Sequence, residues 1–233
     1  METAPKTLVI IPARNEEDRI RTVITGIRER LPGSEVLVVE DGSTDNTVEV
    51  VRSLGARVVS LPVNLGYGGA LRVGFQYALA KGYDRVITMD ADGQHDPADL
   101  PAVVRGLDGD GNDLVIGSRF LGETTYSVPF ARRVGMFLFS LIASTVVGKK
   151  ITDTTSGFMG VGPRALPVVA QHCATDFPNA ELICTVSTKG LEVGEVPIRI
   201  HEREGGESMF TLWKALYYPF KLLLAISMVL LRK

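Results

Sequence analysis

The chain has 233 residues, of which 45% are hydrophobic and 22% are charged, a composition typical of a globular protein. This length is sufficient for one large α/β domain with a full core. The net charge of −2 argues against a general nucleic-acid binder, and Cys173 and Cys184 imply neither a disulfide framework nor a zinc site. Residues 1–6 do not begin a signal peptide, so we expect a cytosolic protein.

Apolar runs and helical patterns alternate through the N-terminal half. The first run, at 7–11, is rich in β-branched residues and ends at Pro12, and apolar residues then recur at helical spacing from Ile20 to Leu31. Further runs that alternate with helices lie at 36–39, 57–61, 85–89 and 113–118. Five such alternations predict an α/β fold with a doubly wound, mostly parallel sheet flanked by helices.

Two acidic residues, Asp90 and Asp92, directly follow the run at 85–89. The carboxyl edge of an open α/β sheet is where such proteins bind their ligands. In an extended segment both carboxylates point to the same side, and Gln94 continues the row. These oxygen ligands suit Mg²⁺ or Mn²⁺. The alternative is an acidic, solvated turn that caps the next helix. The choice between a metal site and a capping turn depends on the other motifs of the chain.

A glycine-rich loop at 64–69 invites a dinucleotide-binding interpretation. It lacks the Gly-x-Gly-x-x-Gly spacing, and it follows the third strand and not the first. The sequence therefore gives little support to a dinucleotide site.

The pattern changes after about residue 120. Residues 134–148 are uncharged, and 209–233 combine aromatic and basic residues without any acid. Neither the apolar stretch at 134–148 nor the one at 222–231 is long enough for a comfortable transmembrane span. Both fit helices at a membrane interface, although a buried core helix or a dimer interface would also account for them. Between these stretches the sequence predicts helices near 163–172 and at 179–189 and a strand at 193–200.

Four short motifs occur in a fixed order along the chain: Pro12-Ala13-Arg14-Asn15-Glu16, Val39 to Asp45, Asp90 to His95, and Gly117-Ser118-Arg119. Together they resemble the inverting family 2 glycosyltransferases with the GT-A fold, in particular the polyprenyl-phosphate (dolichyl-phosphate) mannosyl- and glucosyltransferases. Residues 153–158, 192–198 and 203–208 also resemble that branch. The resemblance implies a catalytic domain at 1–208, with a nucleotide-sugar half at about 1–120 and an acceptor half at about 121–208. Amphipathic, membrane-associated helices would follow at 209–233.

The resemblance also assigns roles to particular residues. The residues that it places around the nucleotide-sugar donor are Pro12, Ala13, Arg14, Glu16, Val39, Asp41, Asp90, Ala91, Asp92 and Arg119. The residues that it places on Mg²⁺ or Mn²⁺, against the diphosphate, are Asp90, Asp92 and Gln94. The candidates for the acceptor phosphate are Arg132, Arg133, Arg203 and Ser208. Arg119 would add a fixed positive charge beside the leaving group, and Asp92, Arg119 and Asp153 are the catalytic candidates.

The implied reaction moves a hexose from a nucleotide-diphosphate donor to a polyprenyl (dolichyl or undecaprenyl) phosphate at the cytosolic membrane face. GDP-mannose is slightly favoured over UDP-glucose as the donor. A phosphate acceptor is already ionised and needs no general base. A sugar hydroxyl of a glycolipid or polysaccharide would need one, and Asp153 and Glu181 are the acids to suspect.

Other interpretations stay open at this stage. The chain could be a non-enzymatic subunit that binds nucleotide sugars and docks on a membrane, and a homodimer or a membrane-protein partner would fit the apolar segments. Two positions depart from the family pattern. Asn179 stands where relatives often have an acidic residue, and Met209 stands where many have lysine. A missing lysine would remove one contact to the acceptor phosphate.

Overall fold

The computed structural model describes residues 5–121, 130–175 and 178–201, with the backbone alone at 130–135, 137 and 138. Its strands are β1 (Thr7–Ala13), β2 (Glu35–Glu40), β3 (Arg57–Ser60), β4 (Arg85–Thr88), β5 (Leu114–Ser118), β6 (Met159–Val161) and β7 (Val193–Pro197). They form one sheet in the order β3-β2-β1-β4-β6-β5-β7. Strand β6 is antiparallel to both of its neighbours, and the other neighbouring pairs are parallel.

Helices cover both faces of this sheet. They are α1 (Ile20–Arg30), α2 (Thr47–Ser53), α3 (Gly66–Ala80), α4 (Leu100–Asp108), α5 (Phe130–Val147), α6 (Leu166–His172) and α7 (Pro178–Thr188). Leu8 and Ile10 of β1 belong to one hydrophobic cluster, whereas Val9 and Ile11 belong to the cluster on the other face. Because β1 is buried on both faces, its sequence is a continuous apolar run without alternation.

The carboxyl ends of the central strands meet at one edge of the sheet. The Asp41 N–H donates to the Ala13 carbonyl at 2.9 Å, and the Met89 N–H donates to the Ile10 carbonyl at 3.0 Å. The loops that follow β1, β2 and β4 therefore begin side by side. Strand β5 runs in the same direction as β4, because each is antiparallel to β6, and so Arg119 emerges at the same edge.

The predicted α/β fold is confirmed, and the differences are local. Strand β6 was not predicted, because its three residues are too few to show a periodicity. Strand β7 ends at Pro197, three residues before the predicted end. Beyond Pro197 the chain leaves β5 and forms an antiparallel bridge between Ile200 and His95, which carries this segment to the edge where the acidic motif lies.

Helix α5 contains residues 134–147 of the uncharged stretch. In its C-terminal half Ala143 is buried, and Phe139, Ile142 and Val146 pack against the core, which makes this half a core helix with an exposed residue at Leu141. Within the described ranges, no helix combines the length and the apolar character needed to cross a bilayer. The side chains of Arg132 and Arg133, the residues Arg203 and Ser208, and the proposed membrane segment 209–233 lie outside the described residues.

Candidate active site

The loops after β1 and β2 are joined by hydrogen bonds between side chains and backbone. Asn15 has a positive φ of 56°, which turns the first loop toward the second. Its side-chain oxygen accepts from the Thr44 N–H at 2.8 Å, and its own N–H donates to Ser43 Oγ at 3.1 Å. The Glu16 N–H donates to Thr47 Oγ1 at 2.9 Å. These contacts fix the rim of the cleft at the carboxyl ends of β1 and β2.

The predicted donor-binding residues differ in how far their side chains reach this cleft. Arg14 is exposed, and Glu16 is half-buried beside Arg19, with which it pairs at 3.1 Å. The side chains of Val39, Ala13 and Ala91 are buried, with 0%, 4% and 4% exposure. These three could contact a donor through backbone atoms, because their side chains are part of the core.

Asp41 holds the glycine-rich loop in place. It is buried, and its two carboxylate oxygens accept from the backbone N–H groups of Leu65 at 2.6 Å and Gly66 at 2.8 Å. Both of these groups belong to the start of α3, where unpaired N–H groups favour a negative charge. The structure thus gives Asp41 a helix-capping role, while its predicted contact with the nucleoside stays a prediction.

Asp90, Asp92 and Gln94 extend from β4 along the cleft. Asp92 Oδ1 accepts from the Gln94 N–H at 3.1 Å, and the backbone of Gln94 accepts from the His201 N–H at 2.9 Å. Asp90 Oδ1 is buried without a hydrogen-bond partner, and Oδ2 lies 3.8 Å from Nδ1 of His95. The segment that contains His201 thus lies against the acidic motif.

The surroundings of Asp90 favour a positively charged ligand. Its burial raises the pKa of the carboxyl group, and the negative charge of Asp92 adds to this effect, while His95 and Arg119 oppose it. A divalent cation would offset the cost of keeping two carboxylates ionised so close together. The described residues contain no group of three or more His, Cys, Asp or Glu side chains that could bind a metal. Two carboxylates and an amide fit Mg²⁺ or Mn²⁺ whose other ligands come from phosphates and water.

Arg119 is fixed beside this motif by a buried carboxylate. Its Nε donates to Asp153 Oδ2 at 2.7 Å and its Nη2 donates to Oδ1 at 2.8 Å, while Nη2 also reaches Thr155 Oγ1 at 2.5 Å. Asp153 is 0% exposed. Burial raises the pKa of Asp153, but the hydrogen bonds and the charge of Arg119 outweigh it, and the pKa lies below its usual range. An ionised, fully engaged carboxylate suits a role in holding Arg119 better than the role of a general base.

A second, half-buried acid, Glu195, holds the backbone at Asp153. Glu195 of β7 accepts from the backbone N–H groups of Thr152 at 2.8 Å and Asp153 at 2.9 Å. Burial raises the pKa of Glu195, and these two N–H groups oppose that effect. Glu195 therefore sets the position of the loop whose carboxylate holds Arg119.

The structure brings several residues to the site to which the sequence assigned no role there. Tyr67 of α3 lies beside Asp90 and Asn179 of α7 lies beside Tyr67, and burial together with the charge of Asp90 raises the pKa of Tyr67 well above its ordinary value. Glu195 and His201 also belong to this set. Each lies far from the acidic motif in the chain, so no local pattern could have assigned it. Glu181, the other suspected base, is half-buried in the first turn of α7.

Known proteins are similar to this chain in sequence and in fold. The model of the family described as glycosyl transferase family 2 matches residues 8–162. The chain is 33% identical over 212 residues to the undecaprenyl-phosphate mannosyltransferase of Micrococcus luteus, covering 87% of this chain and 86% of that protein. It is 30% identical over 211 residues to the UDP-N-acetylglucosamine–dolichyl-phosphate N-acetylglucosaminyltransferase of Methanococcus voltae, covering 82% and 84%.

A solved structure of similar fold is glucosyl-3-phosphoglycerate synthase from Mycobacterium tuberculosis in complex with Mn²⁺, uridine diphosphate and phosphoglyceric acid. The TM-score is 0.70 at 22% identity, over 97% of this chain and 78% of that chain. The fold is therefore GT-A. The chain belongs to glycosyl transferase family 2 and is a glycosyltransferase, since the family model covers more than half of it.

Proposed function

We propose that this protein transfers a hexose from a nucleotide-diphosphate sugar to a polyprenyl phosphate, with inversion at the anomeric carbon. The observation that carries the proposal is the arrangement of Arg119, whose guanidinium is held by Asp153 at the edge where Asp90 and Asp92 lie. This arrangement stabilises negative charge on a leaving group and presents no free carboxylate at Asp153. The names of the Micrococcus and Methanococcus relatives, which act on undecaprenyl and dolichyl phosphate, support the same acceptor class.

The metal-binding residues in this proposal are Asp90, Asp92 and Gln94. A bound Mg²⁺ or Mn²⁺ would neutralise the charge of the departing nucleoside diphosphate. Arg119 contributes a second positive charge that is already oriented before the donor binds, because Asp153 and Thr155 hold its guanidinium. Such preorganised charge needs no rearrangement when the bond to the leaving group breaks.

The acceptor determines whether a base is needed. A phosphomonoester is largely ionised at neutral pH and can attack the anomeric carbon directly, so that the protein has only to align it. A hydroxyl acceptor must lose a proton to a nearby base. Asp153 is a poor candidate for that base, because both of its oxygens are engaged by Arg119 and its pKa lies below the usual range. The phosphate acceptor is therefore the better match to these residues.

We further propose that residues 121–208 form the acceptor half and that 209–233 associate with the cytosolic face of a membrane. The acceptor-phosphate roles of Arg132, Arg133, Arg203 and Ser208 belong to this proposal. GDP-mannose remains the slightly favoured donor, although one relative is named for the transfer of N-acetylglucosamine from UDP-N-acetylglucosamine. Liposome binding that weakens with added salt and on deletion of 209–233 would support the membrane role.

The test is formation of a lipid-linked sugar from purified protein. GDP-mannose, UDP-glucose and UDP-N-acetylglucosamine are each supplied with polyprenyl phosphate, in Mg²⁺, Mn²⁺ or EDTA. We expect one donor to give a metal-dependent lipid product, and we expect Asp92→Asn to abolish it. Asp110→Asn is the matched control, since Asp110 is exposed in the loop after α4. Nucleotide binding without any lipid product would contradict the phosphate acceptor and favour a hydroxyl acceptor.

A further inference from the structure

Unpaired polar atoms collect behind the acidic motif. The described part of the chain has five buried side-chain polar atoms without a hydrogen-bond partner: Tyr67 Oη, Arg85 Nε, Asp90 Oδ1, Thr154 Oγ1 and Asn179 Oδ1. Three of these residues are neighbours, since the hydroxyl group of Tyr67 interacts with the side chains of both Asp90 and Asn179. Buried polar groups without partners are rare and costly in folded proteins, so a group of them beside a functional carboxylate calls for an explanation.

The backbone at Gly157 brings the tyrosine and the carboxylate together. A Cβ atom placed on Gly157 would lie 2.6 and 2.7 Å from the two carboxylate oxygens of Asp90, and 2.7 Å from Tyr67 Oη. The hydroxyl and the carboxylate therefore border the same small space, which a glycine leaves open. Because Tyr67 Oη is buried, it faces this space and not the solvent side of the cleft.

We propose that Tyr67 is a positioning residue for Asp90, and that its hydroxyl, held in turn by Asn179, orients the Asp90 carboxylate toward a divalent cation. The inference rests on the metal-binding role of Asp90 in the proposed function. A phenol hydroxyl can donate one hydrogen bond to Oδ1 and accept one from the Asn179 amide. Outer partners of this kind fix the orientation of a ligating carboxylate and strengthen metal binding.

Asn179 matters in this arrangement because its side chain is uncharged. An aspartate or glutamate at that position could only accept a hydrogen bond when ionised, and it would add a negative charge near Asp90 and Asp92. The neutral amide can donate to the tyrosine oxygen instead, which leaves the tyrosine proton for Asp90. Asn179 thus suits a site in which the tyrosine is a donor to the carboxylate.

The experiment measures how tightly the Tyr67→Phe variant binds Mn²⁺. Bound Mn²⁺ is detected by the loss of the free-ion signal in electron paramagnetic resonance. It is done with Mn²⁺ alone and with Mn²⁺ plus GDP or UDP, so that no sugar transfer is needed. We expect the Kd for Mn²⁺ to rise about 10-fold or more. We also expect the melting temperature to fall by no more than a few degrees, since the variant loses only the hydrogen bonds of one hydroxyl group. Tyr77→Phe is the matched control, because it removes one hydroxyl from the same helix.

The outcomes separate this inference from the proposed function. Asp90→Asn serves as the reference and should lose most Mn²⁺ binding. If Asp90→Asn loses it and Tyr67→Phe does not, the inference is overturned and the proposed metal site stands. If Asp90→Asn binds Mn²⁺ like the wild type, the metal role of Asp90 fails, and the inference fails with it. A much larger fall in melting temperature that accompanies weaker binding in Tyr67→Phe would indicate a structural role and would also overturn the inference.

Discussion

The guanidinium of Arg119 and the carboxylate of Asp153 form two parallel hydrogen bonds, of 2.7 and 2.8 Å, across 34 residues of sequence. The arginine side chain is 11% exposed and the aspartate 0%. A bidentate pair of this geometry fixes the plane of the guanidinium as well as its position. The pair thus joins the end of β5 to the loop before β6, and it sets the direction from which positive charge reaches the acidic motif.

Replacing Arg119 by lysine should lower kcat of sugar transfer by about 10²- to 10³-fold. Lysine keeps the charge but cannot form both hydrogen bonds to Asp153, so the charge is no longer held in one orientation. The measurement is steady-state transfer to polyprenyl phosphate at saturating donor.

The matched control for that variant is Arg57→Lys. Arg57 pairs with Glu35 at 2.8 Å, but its side chain is 60% exposed and the pair lies at the edge strand β3. Exposed ion pairs contribute little to the stability of a protein. We therefore expect the activity and the stability of this variant to be close to those of the wild type. An Arg119→Lys variant that retains wild-type kcat would show that the orientation of this guanidinium is not important for transfer.

Replacing Asp153 by asparagine should destabilise the fold at pH 7 by about 3 kcal/mol, because a buried pair loses one charge. The folded pKa of Asp153 is lowered, so the stability that its ionisation contributes is complete above the unfolded pKa of about 3.9 and is lost as pH falls through the folded pKa. The difference in the free energy of unfolding between wild type and variant should therefore become smaller toward low pH. Urea unfolding at pH 7 and at pH 3 measures this, and a difference that is constant with pH would contradict the ionised pair.

Replacing Gly157 by alanine should weaken Mn²⁺ and nucleotide binding strongly. The added Cβ would lie within 2.7 Å of both Asp90 oxygens and of Tyr67 Oη, so the carboxylate would have to move. Gly162→Ala is the control, since the nearest atom to its Cβ would be the Asp113 carbonyl oxygen at 3.3 Å. Titration of both variants with Mn²⁺ and nucleotide compares them, and equal affinities would show that Asp90 has room to shift.

Both cysteines should be unreactive toward thiol reagents in the folded protein. Cys173 and Cys184 are buried and free, and burial raises the pKa of each thiol to about 12. The thiolate fraction at pH 8 is then about 10⁻⁴, and the thiolate is the reacting form. Labelling with iodoacetamide, followed by mass spectrometry, should find neither modified until denaturant is added. Labelling of either one under native conditions would show that the segment around it opens readily.

The local pattern of the sequence determined the described strands other than β6, most of the helices and the place of the acidic motif at the carboxyl edge of β4. Buried parallel strands are continuous apolar runs, and loops that follow them are polar, so both features can be identified within a few residues of chain. The motif order likewise identified the glycosyltransferase family, because it depends on residue identity alone.

Only the tertiary structure decided which distant residues meet at the site. The antiparallel β6, inserted between β4 and β5, brings the loop of Asp153 to Arg119 and leaves Gly157 beside Asp90. The positions of Tyr67, Asn179 and Glu195 depend on how α3, α7 and β7 pack. Such contacts join segments that are far apart in the sequence. They depend on how whole helices and strands pack, and local periodicity does not predict this packing.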